Sequence, residues 1–173
     1  MDIEARYLVA LILLVFVGLG GCASTPGTET AKAELEEPAS STPADRECLV
    51  RAMYFESNRS SDEGLLALGS VVMNRVASGR YPGTICGVVG QPGQFVAGVL
   101  NRPMDPREKG RVERIADEIL AGQRHPKIAA AMYFHMAGLH FHYPGMHYVL
   151  VAGGNAFYEK TSKRAAASRL QNG

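Results

Sequence analysis

Residues 62–76 constrain the fold more tightly than any other stretch. Leu65, Leu66, Leu68, Val71, Val72 and Val76 occupy most sides of a helical wheel. A helix apolar nearly all round has to be enclosed by other elements. Asp62 and Glu63 stand in its first turn, where carboxylates complement the free N–H groups. The expectation is a buried central helix with the rest of the domain wrapped around it.

A helix also precedes it. Thr42-Pro43-Ala44-Asp45 reads as a helix start, with Thr42 as cap and proline in the first turn. Leu49, Ala52, Met53 and Glu56 then recur at spacings of three and four, which places them on one face. Glu56 is thereby turned toward whatever Leu49 and Met53 pack against. Acidic residues are seldom enclosed unless they are paired or have work to do. Apolar neighbours favour the neutral carboxyl, the form a general acid needs near neutral pH. Taken alone, the stretch also fits a surface helix whose polar face carries Glu56. The helix breaks at Ser57-Asn58-Arg59-Ser60-Ser61.

Beyond the central helix, residues 78–83 form a turn leading into residues 84–89. Residues 90–105 are loop-rich, with Gln94-Phe95 in their middle. A third helix is predicted over residues 106–121, with Val112, Ile115, Ile119 and Leu120 as its inner stripe. Residues 129–135 are read as a strand. Residues 148–151 and 155–158 are read as short strands around the Gly153-Gly154 turn. Residues beyond 160 are a polar tail. The fold class is α+β: a compact, helix-dominated domain with a small antiparallel sheet at its C-terminal end.

The N-terminus reads as a targeting segment. Residues 7–18 are apolar, and Leu19-Gly20-Gly21-Cys22 closes the run with small residues before a cysteine. This resembles a bacterial lipobox, in which the cysteine thiol is lipidated and becomes the new N-terminus. The run is shorter than the ~20 residues a membrane-spanning helix needs. Arg6 is its only preceding basic residue, opposed by Asp2 and Glu4. Ala23 after the cysteine points, by resemblance to Gram-negative lipoproteins, to the inner leaflet of the outer membrane. The expected organisation is therefore a signal peptide over 1–21, a flexible tether over 22–45, a catalytic domain over 46–160 and a tail over 161–173. The tether is rich in Thr, Ala, Glu, Ser and Pro, with too little apolar surface to order itself. With Cys22 lipidated, Cys48 and Cys86 remain as an even pair in an oxidising compartment, and a disulfide is expected. A net charge of +1 and a 20% charged composition leave no basic stripe, which disfavours nucleic-acid binding.

Several ordered motifs resemble a known family. Cys48-Leu49, Tyr54-Phe55-Glu56, Gly64 and Val71-Val72-Met73-Asn74-Arg75-Val76 form its first half. Tyr81-Pro82-Gly83-Thr84-Ile85-Cys86-Gly87-Val88-Val89 and Gln94-Phe95 follow in the same order. Ala131-Met132-Tyr133-Phe134-His135 and Gly154-Asn155-Ala156-Phe157-Tyr158 complete it. Over residues 47–158 the chain resembles the SleB-type cell-wall hydrolases, the spore-cortex-lytic enzymes and their Gram-negative relatives. The resemblance implies a lysozyme-like, lytic-transglycosylase-type fold acting on peptidoglycan glycan strands. It also implies that Glu56 is the single acid and base. Tyr54, Gln94, Phe95, Tyr133, His135, Asn155 and Tyr158 are candidate substrate contacts, with packing or local hydrogen bonding as the alternative for each. Asn74 and Arg75 are equally well read as holding helix ends and loop carbonyls together. Asp62 and Glu63 are the nearest candidates for a second acid and are read as helix-start groups. Two positions depart from the family pattern. Val96-Ala97-Gly98 stands where another aromatic usually follows Gln94-Phe95, and Ala156 stands where a histidine often follows Gly-Asn. Both bear on the cleft more than on the fold.

Two rival functions follow from the same residues. His135, His140, His142 and His147 crowd one stretch, with His140 and His142 on one strand face, which suggests a zinc-dependent peptidoglycan amidase. Zinc sites usually add cysteine or acidic ligands, and no acidic residue lies between His135 and Tyr158. No metal and no cofactor are therefore expected. The other rival is a tethered peptidoglycan-binding lipoprotein that has lost activity. A monomer is expected, joined to the membrane only through the lipid at Cys22.

Overall fold

A computed structural model describes residues 41–161, apart from residues 60 and 142. These lie in the compact unit Ala39–Gly173. Helices come first: α1 Pro43–Glu56, α2 Asp62–Ala77, α3 Ile85–Val89 and α4 Pro106–Leu120. Strands β1 Tyr133–Met136, β2 Met146–Ala152 and β3 Asn155–Lys160 follow.

Each helix start is written in the sequence. Thr42 accepts a hydrogen bond from Asp45 N, with Pro43 in the first turn of α1. Ser61 caps α2 through Gly64 N. Asp105 caps α4 through Arg107 N, again beside a proline. Thr84 accepts from Gly87 N and opens α3, a short helix in a stretch whose sequence shows no clear period.

Helix α2 is the centre the hydropathy pattern called for. Leu65, Leu68, Val71 and Val72 are wholly enclosed. The helix packs on α1, α3 and α4 and touches β2. Two glycines set how closely it is approached. A Cβ at Gly69 would collide with the Ile119 side chain of α4 and press on Met53 Sδ of α1. A Cβ at Gly64 would collide with the backbone of Gly153 in the β2–β3 turn. The helix start and that turn are therefore in direct backbone contact.

Helix α1 contributes Leu49, Val50, Ala52 and Met53, all fully buried. Helix α4 turns Val112, Ile115, Ala116 and Ile119 inward. Leu120, predicted on that stripe, is only partly buried, and Ala116 completes it instead. On the outer side of α4, Arg111 and Arg114 pair with Asp62, and Asp117 pairs with Arg46. Exposed pairs of this kind are individually worth roughly 0–1 kcal/mol.

The sheet has the order β1-β3-β2, with both pairs antiparallel. Its central strand places Phe157, fully buried, against the helices' core. Phe157, Phe134 and Phe95 then form a chain of rings, 6.1 and 6.2 Å apart, that leads outward toward the site.

Two sequence readings need correction. The strand predicted over residues 129–135 begins only at Tyr133. Residues 126–130 are a turn, with Ala129 at a φ of 45°. Asn74 Nδ2 donates to the carbonyls of Ala129 and Ala131, so tertiary hydrogen bonds fix this segment as a turn. His140 lies in the connection between β1 and β2 rather than on a strand, and His142 is outside the described residues. The expected signal peptide, Cys22, residues 22–40 of the expected tether and all but Thr161 of the expected tail also lie outside them. No helix among the described residues is long and apolar enough to cross a membrane.

Cys48 of α1 and Cys86 of α3 are joined as a disulfide, with Cα atoms 5.2 Å apart and a sequence separation of 38. Such a loop restricts the unfolded chain, by an amount worth about 2–4 kcal/mol. Reducing the bond, or replacing both cysteines with alanine, should lower unfolding free energy by that amount in denaturant titrations. An unchanged midpoint would contradict it.

Candidate functional site

Glu56 is the last residue of α1, and its position is fixed from the sheet. A helix end leaves carbonyls without intrahelical donors. Asn155 Nδ2, from the first residue of β3, donates to the Glu56 carbonyl at 2.6 Å. Asn58 N donates to Gly153 O at 2.9 Å one turn further on. Asn155 is buried, so its amide serves this bond rather than solvent.

The Glu56 side chain is half-buried and accepts a 2.5 Å hydrogen bond at Oε1 from Val96 N. Burial pushes its carboxyl above the usual range. The Val96 N–H and the positive charge of Arg75 pull the other way without cancelling the rise. The carboxyl faces a cleft of about 700 Å³. Its lining includes Phe55, Asn58 and Val96, Phe134, His135 and Met136, and Gly153-Gly154-Asn155. Among the described residues, Glu56 is the only carboxylate lining this cleft.

A second hollow of about 360 Å³ holds Gln94, Tyr133 and Tyr158. Phe134 lines both spaces. Tyr133 and Tyr158 are opposite one another in the β1–β3 register, with their rings stacked 5.4 Å apart. The predicted contacts thus divide: His135 and Asn155 line the cleft with Glu56, and Gln94, Tyr133 and Tyr158 line the neighbouring hollow. Phe95 is buried, against Phe134 and 5.4 Å from the Arg75 guanidinium. Tyr54 lines neither space. It is buried, its hydroxyl accepts from Asp105 N, and Arg59 covers its ring at 4.4 Å.

Asp62, Glu63, His125 and His135 each have partners of their own. Asp62 is held by Arg111 and Arg114, which keep its carboxyl below the usual range. Glu63 Oε1 lies 3.3 Å from His125 Nε2. The Nδ1 of that histidine accepts from Lys127 N, so Nε2 carries the proton and donates to Glu63. His135 Nδ1 donates to Met136 O at 2.9 Å, and its Nε2 lies 2.8 Å from the Tyr148 hydroxyl. Among the described residues no group of three or more His, Cys, Asp or Glu side chains converges.

Sequence reasoning missed two parts of the site. The Val96 N–H is a main-chain donor and leaves no trace in residue type. Phe134, flanked by the two singled-out positions Tyr133 and His135, was passed over although it lines the cleft with His135 and the hollow with Tyr133.

Comparison with known proteins gives this geometry a context. The cell wall hydrolase family matches residues 59–158, more than half of the chain and beginning just after Glu56. The spore cortex-lytic enzyme of Oceanobacillus iheyensis is 28% identical over 102 residues, 58% of this chain and 37% of that protein. The chain thus spans little more than a third of that relative's length. The catalytic domain of the Bacillus cereus SleB protein superposes with a TM-score of 0.59 at 21% identity, covering 70% of this chain and 94% of that one. The catalytic domain of the germination-specific lytic transglycosylase SleB of Bacillus anthracis gives 0.57 at 21% identity, covering 70% and 99%. The helix-dominated α+β architecture is therefore that of the SleB catalytic domains, a lysozyme-like fold. On the match across residues 59–158, the chain belongs to the cell wall hydrolase family.

Proposed function

We propose that this protein is an exported, lipid-anchored peptidoglycan hydrolase that cuts the glycan strand beside N-acetylmuramic acid as a lytic transglycosylase. The observation that carries the mechanism is the solitary carboxyl of Glu56 in its cleft. Two-carboxylate glycosidases place a nucleophile or base roughly 5–9.5 Å from the acid. The nearest acids in sequence, Asp62 and Glu63, are engaged elsewhere.

One carboxyl group suffices when the sugar supplies its own nucleophile. Glu56, whose neutral form is favoured by burial, donates its proton to the glycosidic oxygen, and the bond from that oxygen to C1 of N-acetylmuramic acid breaks. The C6 hydroxyl of the same sugar forms the new bond to C1 and returns its proton to Glu56. The product ends in a 1,6-anhydro ring, and the enzyme regains its starting state without water. Intramolecular attack of this kind gains from proximity. The 2.5 Å bond from Val96 N and the positive Arg75 favour the ionised carboxylate during the step.

Export and anchoring are part of the same reading. The Leu19-Gly20-Gly21-Cys22 sequence supports lipidation at Cys22. The Cys48–Cys86 disulfide fits an oxidising compartment such as the periplasm. Membrane fractionation should find the parent with outer-membrane lipoproteins and a Cys22→Ala variant without lipid. Equal lipid labelling of both would remove the anchor from the proposal.

Digestion of purified sacculi tests the chemistry. Glu56→Gln should reduce muropeptide release by at least ~100-fold, the scale of losing an acid–base group. Mass spectrometry of the parent's products should show ends lighter by one water than the hydrolysed form. Undiminished release by the variant would discard Glu56 as the catalyst. Products carrying a full reducing end would replace the transglycosylase step by hydrolysis.

Glu56 also has a pH signature in stability. Its folded-state value lies above the ordinary 4.5, so the native chain binds this proton more tightly than the unfolded chain. Its contribution is favourable at low pH and is lost as pH rises from 4.5 through the raised folded value. Glu56→Gln, which cannot ionise, should gain stability relative to the parent as pH rises across that window. Chemical denaturation at pH 4 and pH 7 reads the difference, and a parent that gains on the variant would reverse the sign.

A further inference from the structure

The hollow beside the cleft is built for negative charge. Arg75, Arg80 and Lys160 line it, and no carboxylate does. None of these three cations takes part in an ion pair among the described residues. Arg80 reaches only Met132 Sδ, at 3.2 Å, and Lys160 rests 4.4 Å over the Tyr133 ring.

Arg75 is the unusual member. Its side chain is 3% exposed, yet its only hydrogen bond runs from Nε to the Met132 carbonyl at 2.8 Å, and Nη1 has no partner. A buried cation is costly unless something offsets it, and Glu56 attracts Arg75 without forming an ion pair with it. Here the rings of Tyr81, Phe95 and Phe134 stand 5.2–5.6 Å from the guanidinium. Cation–π contacts return part of that cost. Tyr81, Tyr133, Tyr158, Gln91 and Gln94 also line the hollow; Tyr81 and Tyr133 share a hydrogen bond, Gln91 Oε1 is an unpartnered acceptor, and Tyr158 and the Gln94 amide can donate. A space rich in donors and cations and free of acids selects a ligand rich in acceptors.

We propose that this hollow is a carboxylate-recognising subsite, and that the carboxylate it takes belongs to the peptide carried by the muramic acid next to the scissile bond. The placement follows from Phe134, which lines both spaces, so a strand lying in the Glu56 cleft directs its substituents toward Arg80 and Lys160. The proposal rests on the glycan-strand reading above and extends it from the sugar backbone to the substituent. It makes the protein selective for strands that still bear their peptides.

The test is equilibrium binding, which does not depend on turnover. The full chain is titrated with a disaccharide ending in N-acetylmuramic acid, with its peptide and, with the lactyl carboxyl capped as the amide, without it. The peptide-bearing ligand should bind about tenfold tighter at low salt, an advantage that shrinks as salt screens it. In the double variant Arg80→Gln/Lys160→Gln the ratio should collapse to near one. The charge-preserving Arg80→Lys/Lys160→Arg should retain most of it, which separates lost charge from a damaged fold. Equal affinity for both ligands, or a ratio untouched by the neutralising pair, overturns the subsite. Full competition by millimolar acetate or free D-glutamate would mean a dissolved carboxylate fills the hollow, and would overturn its assignment to the strand. A chain that prefers the peptide-bearing ligand but releases nothing from sacculi keeps the subsite and loses the proposed chemistry instead.

Discussion

The structure turns on the hydrogen bond from the Asn155 amide to the main-chain carbonyl of Glu56. It joins residues 99 positions apart, where the first helix ends and the last strand begins. Two further contacts lie beside it. Asn58 N reaches Gly153 O, and Gly64 meets Gly153 backbone to backbone. The helical part of the domain and the sheet are thus fastened at one corner, and the acidic side chain stands there. A buried carbonyl deprived of this donor would lose about 1–3 kcal/mol. The larger consequence would be positional, because the carboxyl's direction into the cleft is inherited from the backbone that Asn155 holds.

The same corner balances opposing effects on one proton. Enclosure by Phe55, Val96 and Phe134 favours the neutral carboxyl, whereas the Val96 N–H and the buried Arg75 favour the anion. A group that only donated would need the first influence, and a group that only accepted would need the second. In the proposed step an acid gives a proton and takes one back within a single turnover and draws on both influences, with burial setting the net direction. Arg75 also supports the sheet entry through Met132, so the electrostatics and the architecture share a residue.

Much of the domain was legible because its determinants are local. The Thr42-Pro43 and Asp105-Pro106 starts, the all-round apolar helix and the double glycine before Asn155 each act through their immediate neighbours. Two failures have identifiable causes. The segment before Tyr133 has strand-like composition, but Asn74 on α2 captures two of its carbonyls and Ala129 takes a left-handed conformation. Tyr54 seemed part of the site because it adjoins Glu56 in the chain. On a helix, residues two apart point roughly 200° away from each other. Tyr54 is thereby turned toward Asp105 and Arg59, away from the cleft.

The two departures from the family pattern change the shape around Glu56 and leave its hydrogen bond to the main chain in place. At Val96 the group that touches Glu56 is the backbone N–H, which any residue but proline supplies. A valine in place of a ring therefore keeps the hydrogen bond and removes only bulk from the cleft wall. Ala156 lies opposite His135 on one side and Val151 on the other in the sheet register. The small side chain there lines a hollow of about 320 Å³ that also has His135 in its wall. His135 borders the Glu56 cleft as well, so the room left by the missing side chain adjoins the site. Fewer rings mean fewer stacking contacts with each sugar, while the acid, its donor and its buried cation are unaltered. On the proposed function, strand recognition would then rest less on aromatic surface and more on the polar groups lining the cleft.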